Sequence, residues 1–257
     1  MTRLSSLKGT LATAFGDAAD AYHSAADVQR EVASRLARRI AGLALAPRPR
    51  ILEIGCGTGF LHQALAPDLP GARWLLTDLS EAMVRRARAG IGPTSAEFAV
   101  MDGEHTPFAP GQFDLICASL VFQWFEDLPA SINGLTALLA PGGTLAFSTL
   151  TSDSFPEWRE AHREIGVRSA MRSYPTRTEI ERMTGTRATV ETGSIARRYP
   201  SAHAFLTHWK EIGTHVPGAS RVPLTPGTMR KLLRRFENGI VVTYDVAYST
   251  FRKDRGF

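Results

Sequence analysis

The sequence predicts an α/β fold, a doubly wound and mostly parallel sheet with helices between its strands. Three observations predict it. Apolar runs of strand length alternate with helical patterns up to residue 150, an order that closes through right-handed crossovers. A turn with three glycines, Gly55, Gly57 and Gly59, follows directly on the branched run Ile51–Ile54. Acids, finally, mark three successive strands: Glu53 within the first, Asp78 ending the second and Asp102 ending the third.

Each element has its own signal. Val28, Val32, Leu36 and Ile40 recur every fourth residue with Arg and Glu between them, which predicts an amphipathic helix of about 17 residues. "APRPR" (46–50) stops it, and the strand Ile51–Ile54 follows. "GTGFLHQALAPDLPG" supplies a short helix and a Pro-Gly turn. "RWLLTD" is the second strand, and "SEAMVRRARAG" is a helix capped by its serine and closed on Gly90. Strands are expected at 96–102 and 113–120. The helix "DLPASINGLTALLA" is closed by "PGG", and "TLAFSTL" is the next strand. Beyond Thr151 the rhythm changes. Residues 153–187 read as helical and polar, "TVETGSIARRYP" as a strand, 201–213 and 225–237 as helices, and "IVVTYDVAYSTFRK" as a closing strand. The organisation expected is one domain over 1–257. It comprises an N-terminal helical segment (1–45), a ligand-binding core (50–150) and a region (151–257) holding an inserted helical cap and the last sheet strands.

Composition narrows the classes. Of 257 residues 44% are hydrophobic and 21% charged, which suits a globular core and argues against disorder. No apolar run reaches the roughly 18 residues of a membrane span, and Met1–Asp20 lacks the pattern of a secretory leader. Cys56 and Cys117 make no metal-ligand spacing, so free thiols in a reducing cytoplasm are the expectation. The net charge of +5 comes mostly from arginine, clustered at 35–39, 85–88, 197–198 and 230–235. Solvated helix faces account for such clusters, as does attraction to an acidic partner. No zinc finger, RNP-type aromatic motif or long basic arm points to nucleic acid.

The glycine turn lets the main chain approach a ligand closely. A dinucleotide fold wants G-x-G-x-x-G, but the sixth position here is Phe60 and the third glycine arrives one residue early. Glu53 would repel a pyrophosphate and suits a cofactor carrying an ammonium group. Asp78 lies 23 positions after Gly55, where doubly wound folds place an acid on ribose hydroxyls. Asp102 is placed to accept from an adenine amino group. Taken singly, each acid also reads as a loop acid or helix cap. Together they converge on one crevice.

This set resembles the class I S-adenosylmethionine-dependent methyltransferases, on "LEIGCGTG", "TDLS", "MDGEHTPF" and "PGGTLAFST". The resemblance covers 50–150 and implies a Rossmann-like, seven-stranded sheet. It implies S-adenosyl-L-methionine as methyl donor, with no metal, and a cofactor site of Glu53, Gly55, Cys56, Gly57, Asp78, Leu79, Met83, Asp102, Gly103 and Leu120. The flanks resemble a narrower family, the malonyl-[acyl-carrier protein] O-methyltransferases of biotin synthesis. "FGDAADAYHSAADVQRE", "SLVFQWFEDLP", "RRYPSAHAFLTHWKEIG" and "VVTYDVAYSTFRK" carry that likeness over nearly the whole chain. It implies methylation of the free carboxyl of a malonyl thioester. Its partner would be an acidic acyl carrier protein or coenzyme A, with no nucleic acid or membrane, and a chain acting as a cytoplasmic monomer.

The chemistry fits what is missing. No N/D-P-P-Y stretch for amino methylation follows the fourth strand, and no Pro-Cys nucleophile is evident. A malonyl carboxylate, with a pKa of about 4, is ionised at pH 7 and needs no general base. No catalytic acid–base pair is therefore expected, only a closed, partly aromatic pocket. Its candidate walls are Tyr22, His23 and Gln29 from the N-terminal segment and Phe122, Gln123 and Trp124 after the fourth strand. Tyr199, Trp209 and Lys210 are candidates for a lid, and Arg197–Arg198 for holding the carboxylate or thioester arm. Core packing is the alternative for Phe122 and Trp124, a surface position for His23, and a solvated face for the arginine pair. Three other functions share the core: a quinone-type small-molecule O- or C-methyltransferase, a respiratory-complex assembly factor acting on a protein arginine, and a non-catalytic cofactor- or carrier-binding module.

Overall fold

The computed structural model describes residues 5–93, 96–169, 171–214 and 224–255. Residues 1–4, 94–95, 170, 215–223 and 256–257, which fall in the expected N-terminal segment, core and cap region, lie outside the described residues. Two helices come first. Ser5 accepts from the Lys8 amide and caps α1 (Ser6–Ala25), and Ala26 separates it from α2 (Asp27–Ala41). The four-residue spacing of Val28, Val32, Leu36 and Ile40 puts all four on the buried face of α2. Strands and helices then alternate through β1 (Arg50–Ile54), α3 (Phe60–Leu65), β2 (Arg73–Asp78), α4 (Glu81–Ile91), β3 (Glu97–Val100), β4 (Phe113–Ser119), α5 (Leu128–Leu138) and β5 (Leu139–Leu150). The remaining elements are α6 (Pro156–Glu164), α7 (Arg177–Thr184), β6 (Ala188–Tyr199), α8 (Ala202–Glu211), α9 (Pro226–Arg234) and β7 (Ile240–Arg252).

Among the described residues seven strands share one sheet in the order β3-β2-β1-β4-β5-β7-β6. The first five pair in parallel, and β7 enters antiparallel between β5 and β6. The chain winds outward from β1 to β3 and then returns to the other side of β1 as β4. The crevice at the carboxyl ends of β1 and β4 is therefore the topological switch point. Side-chain alternation fills both faces. Leu115, Cys117 and Ala146 join a core with α2, α3, α6 and α8, while Ile116, Ala118, Leu145 and Phe147 join a second with α5 and Ile180 of α7. Burial on both faces explains why these strands read as continuous apolar runs.

The doubly wound, mostly parallel sheet is as the sequence predicts, while several boundaries differ. Helix α4 passes through Gly90 and stops at Gly92, whose φ of 73° a helix cannot continue. Strand β3 ends at Val100, two residues before Asp102. "PGG" does not precede β5 but lies inside it, at an irregularity where the pairing with β4 shifts between Phe113 and Leu115. A side chain at 143 would stand 2.9 Å from the carbonyl oxygens of Ala140 and Phe113, so the kink takes glycine. The described residues of 153–187 form two short helices with irregular chain between them: Gly166 (φ 71°) follows α6, and a capping box between Thr176 and Glu179 starts α7. Both cysteines are buried and unbridged. Among the described residues no helix is long and apolar enough to cross a membrane.

Candidate active site

At the end of β1 the chain turns sharply through Gly55 (φ 63°), Gly57 (φ 53°) and Gly59 (φ 92°) into α3. Just before the turn stands Glu53, 2% exposed. Its Oε2 is buried without a hydrogen-bond partner. Burial first, and the charge of Asp78 second, push its carboxyl up to about 8. A desolvated carboxyl with a bare oxygen is a ready partner for a cation. Gln29, from α2, presents a second unpartnered buried oxygen, Oε1. Both line one small cavity of about 290 Å³, open side included, with Tyr22, Cys56 and Ser119.

Asp78, ending β2, braces the turn. Its Oδ2 accepts from the Gly57 amide at 2.9 Å and its Oδ1 from the Ser80 amide at 2.8 Å. Ser80 in turn caps α4. Burial raises the Asp78 pKa, opposed by these amide bonds. Next to the small cavity a cleft of about 750 Å³, mouth included, runs over Gly55, Gly57, Asp78, Leu79, Met83, Asp102, Gly103 and Leu120. Cleft and cavity together take in all ten residues expected at the cofactor. Among the described residues no group of His, Cys, Asp and Glu is arranged to hold a metal ion.

Asp102 is engaged differently from the sequence reading. Lys8 of α1, 5% exposed, reaches its Oδ2 at 2.5 Å and Glu104 Oε2 at 2.7 Å, and His105 adds a contact at 2.9 Å. Burial works against the Lys8 charge, yet hydrogen bonds to Asp102 and Glu104 hold its pKa above the usual lysine value. Any adenine contact at Asp102 is thus shared with a nearly buried ion pair. Lys8, Leu11, Ala12, Phe15 and Tyr22 put one face of α1 over the cleft as a roof. The sequence reading missed Lys8, Leu11 and Phe15, although a lone lysine in helical register with them was a legible sign of that face.

The acceptor-side candidates separate. Tyr22 stacks on Phe60, Trp124 meets Phe15 edge-on at 5.5 Å, and both rings line the cleft. Gln123 sits at the ends of β4 and β5, donating to Leu120 O at 2.8 Å and accepting from Thr149 Oγ1 at 3.3 Å. Phe122 faces away, 1% exposed between Phe125 and Phe147, because its short 3-10 turn packs that side against β5. His23 is half-buried rather than on the surface, with Nδ1 3.2 Å from Thr58 Oγ1. Arg197 is spent on Asp27 and Glu31 of α2, both at 2.5 Å, and Arg198 points into solvent from the next position of β6. Tyr199 bonds Tyr244 through their hydroxyls at 3.3 Å. Trp209 packs on Phe155 and Phe205, and Lys210 is exposed.

Comparison with known proteins bears on the family and the fold. The methyltransferase domain family matches residues 52–147, the span from β1 to β5. The biotin biosynthesis bifunctional protein BioCD of Bordetella avium (strain 197N) is 45% identical over 96% of this chain, which spans only 53% of that longer protein. The malonyl-[acyl-carrier protein] O-methyltransferase of Magnetococcus marinus is 38% identical over 95% of this chain and 93% of its own length. Among solved structures, a protein of Bacillus halodurans C-125 assigned to the methyltransferases superposes with a TM-score of 0.60, covering 86% of this chain and 98% of its own. At 16% identity it speaks for the fold alone.

Proposed function

Because this chain belongs to the malonyl-[acyl-carrier protein] O-methyltransferase family, we propose that it esterifies the free carboxylate of a malonyl thioester in early biotin synthesis, with S-adenosyl-L-methionine as methyl donor. The observation that carries the reading is the bare, buried Glu53 Oε2 beside the glycine turn, with Asp78 at the next strand end. A ligand that pairs an ammonium group with ribose hydroxyls satisfies both acids. Glu53 and the 55–59 turn would hold its amino-acid end, Asp78 its ribose, and Leu79 and Met83 the sides of its adenosine. When bound, it supplies a methyl group on a cationic sulfur.

The protein's own part is positioning. No side chain has to remove a proton, because the acceptor is already a carboxylate at pH 7. The α1 roof, Phe15, Tyr22 and Trp124 keep water from the meeting point, which favours the merging of opposite charges. Orientation supplies the rest. Alpha helix α9 offers exposed Arg230, Lys231 and Arg234, while Leu232 is buried beneath them. That charged side suits an acidic carrier protein, whose encounter it would speed without touching the chemical step. Arg235 is already paired with Glu164.

Complementation tests the reading. Growth of a biotin-requiring strain that lacks its own malonyl methyltransferase is expected when this chain is expressed. Soluble protein that binds S-adenosylmethionine but restores no growth would point to another acceptor.

The state of Glu53 sets a pH signature. With its pKa at about 8 the free carboxyl is mostly protonated at pH 7, and a bound ammonium favours the ionised form. Binding should therefore release a proton. Affinity should climb from about pH 6 to pH 7.5, by at most about tenfold per unit, because fewer proteins must first lose that proton. Calorimetry in buffers of different ionisation heat reads the release directly. Glu53→Gln should abolish it, and no proton release from the unaltered protein at pH 7 would contradict the assignment.

A further inference from the structure

An anionic acceptor needs a cation at its site, and Arg197 is committed to α2. Two guanidinium groups in the cap region are not so committed. Arg159, on α6, donates Nε to Ser154 O at 3.0 Å, while its Nη2 is buried with no hydrogen-bond partner. Arg172, between α6 and α7, lies with its Cζ 5.3 Å from the centre of the Trp124 ring. Trp124 also lines the cleft, so Arg172 rests on one of its lining residues. Among the described residues neither arginine forms an ion pair with a carboxylate.

The two converge on Tyr174, whose ring packs on Phe155, the residue after Ser154. Burial pushes the Tyr174 hydroxyl up, and the nearby charges of Arg172 and Arg159 pull it back, so both cations are felt at one half-buried ring. The segment is pinned in place, because the Ser152 amide donates to Pro175 O at 3.0 Å just beyond β5. A guanidinium nitrogen buried with no acceptor is unfavourable unless something anionic completes it. One such group beside the end of β5, with a second guanidinium, that of Arg172, resting on a residue that lines the cleft, describes a receptor for an anion.

We propose that Arg159 and Arg172 form the acceptor-carboxylate site, holding the anionic end of the substrate against Trp124 at the cleft. This rests on the carboxyl O-methyltransferase reading above. The pair binds and orients; it exchanges no proton. Arg172 shares its charge with the Trp124 face, which moderates its grip and leaves the carboxylate oxygen able to attack. The clamp also selects among acceptors, because a neutral or cationic group would leave both guanidinium ions uncompensated.

Kinetics with two substrates test the assignment: malonyl-carrier protein, and the malonyl thioester of N-acetylcysteamine, which bears the carboxylate but no phosphate. Arg172→Gln and Arg159→Gln should each raise KM for both substrates about 10- to 100-fold, the worth of a charge-assisted bond. The S-adenosylmethionine dissociation constant should stay within about twofold, and Arg172→Lys should recover part of the loss. Arg159 also supports the start of α6, so if Arg159→Gln fails to fold, Arg172→Gln carries the test. Unchanged KM in a variant that still binds the cofactor overturns the clamp. A rise confined to the carrier-bound substrate overturns it too, by assigning the pair to the phosphate of the carrier's arm. If the unaltered protein methylates no malonyl thioester, it is the functional reading that fails. Titration with malonate then tests the clamp separately, with binding lost in Arg172→Gln supporting it and no binding to the unaltered protein overturning it.

Discussion

Asp78→Ala is expected to raise the dissociation constant for S-adenosylmethionine about 30- to 1,000-fold, or ~2–4 kcal/mol. Two effects add. The carboxylate oxygens are the proposed acceptors for two ribose hydroxyls, each a charge-assisted bond, partly replaced by water in the variant. The same oxygens take the Gly57 amide at 2.9 Å and the Ser80 amide at 2.8 Å, which tie the glycine turn to β2 and to the start of α4. Without the carboxylate those amides lose their acceptor and the cradle loosens before any ligand arrives. Calorimetric titration reads the first effect and thermal unfolding the second. A variant that melts lower yet binds as tightly as the unaltered protein would confine Asp78 to a structural role and remove it from the ribose.

Gly55→Ala should destabilise the free protein by about 2–5 kcal/mol. The residue sits at φ 63°, where a side chain crowds its own carbonyl, at a cost of about 1–2 kcal/mol. A Cβ there would also stand 2.3 Å and 2.9 Å from the two γ-methyls of Val121, an overlap worth about 1–3 kcal/mol. The two terms are separable. Val121→Ala removes both methyls, so Gly55→Ala/Val121→Ala should recover the overlap beyond what Val121→Ala loses alone, while the backbone strain persists. Urea unfolding of the four proteins gives the cycle. Equal midpoints for Gly55→Ala and the unaltered protein would show that the turn accepts a side chain, and the case for a glycine-specific cradle would fall.

Legibility follows the range of the interactions. The buried face of α2, the five parallel strands and the glycine turn are written in residues a few positions apart, where side-chain periodicity and backbone freedom act locally. The three acids were legible for the same reason, since each stands at or near the end of a strand that its own neighbours define. Phe122 was less so. A 3-10 turn has no lasting face, and packing against Phe147 turned that ring inward while Trp124, two residues on, reached the cleft.

What the sequence determined by itself is the order of strands and helices, the switch-point crevice and the acids that meet there. Strand twist and short connections leave few other ways to assemble such alternating runs. Tertiary structure alone decided which charges meet. Lys8 finds Asp102 across 94 positions, and Arg197 finds Asp27 across 170. Arg159 is left with a buried donor to spare and Arg172 rests on the Trp124 ring, though nothing in their own stretches of sequence sets them apart from the other arginines. Coulomb attraction falls off with distance in space and is indifferent to separation along the chain, so only the folded geometry could choose among 25 acids for 30 lysines and arginines.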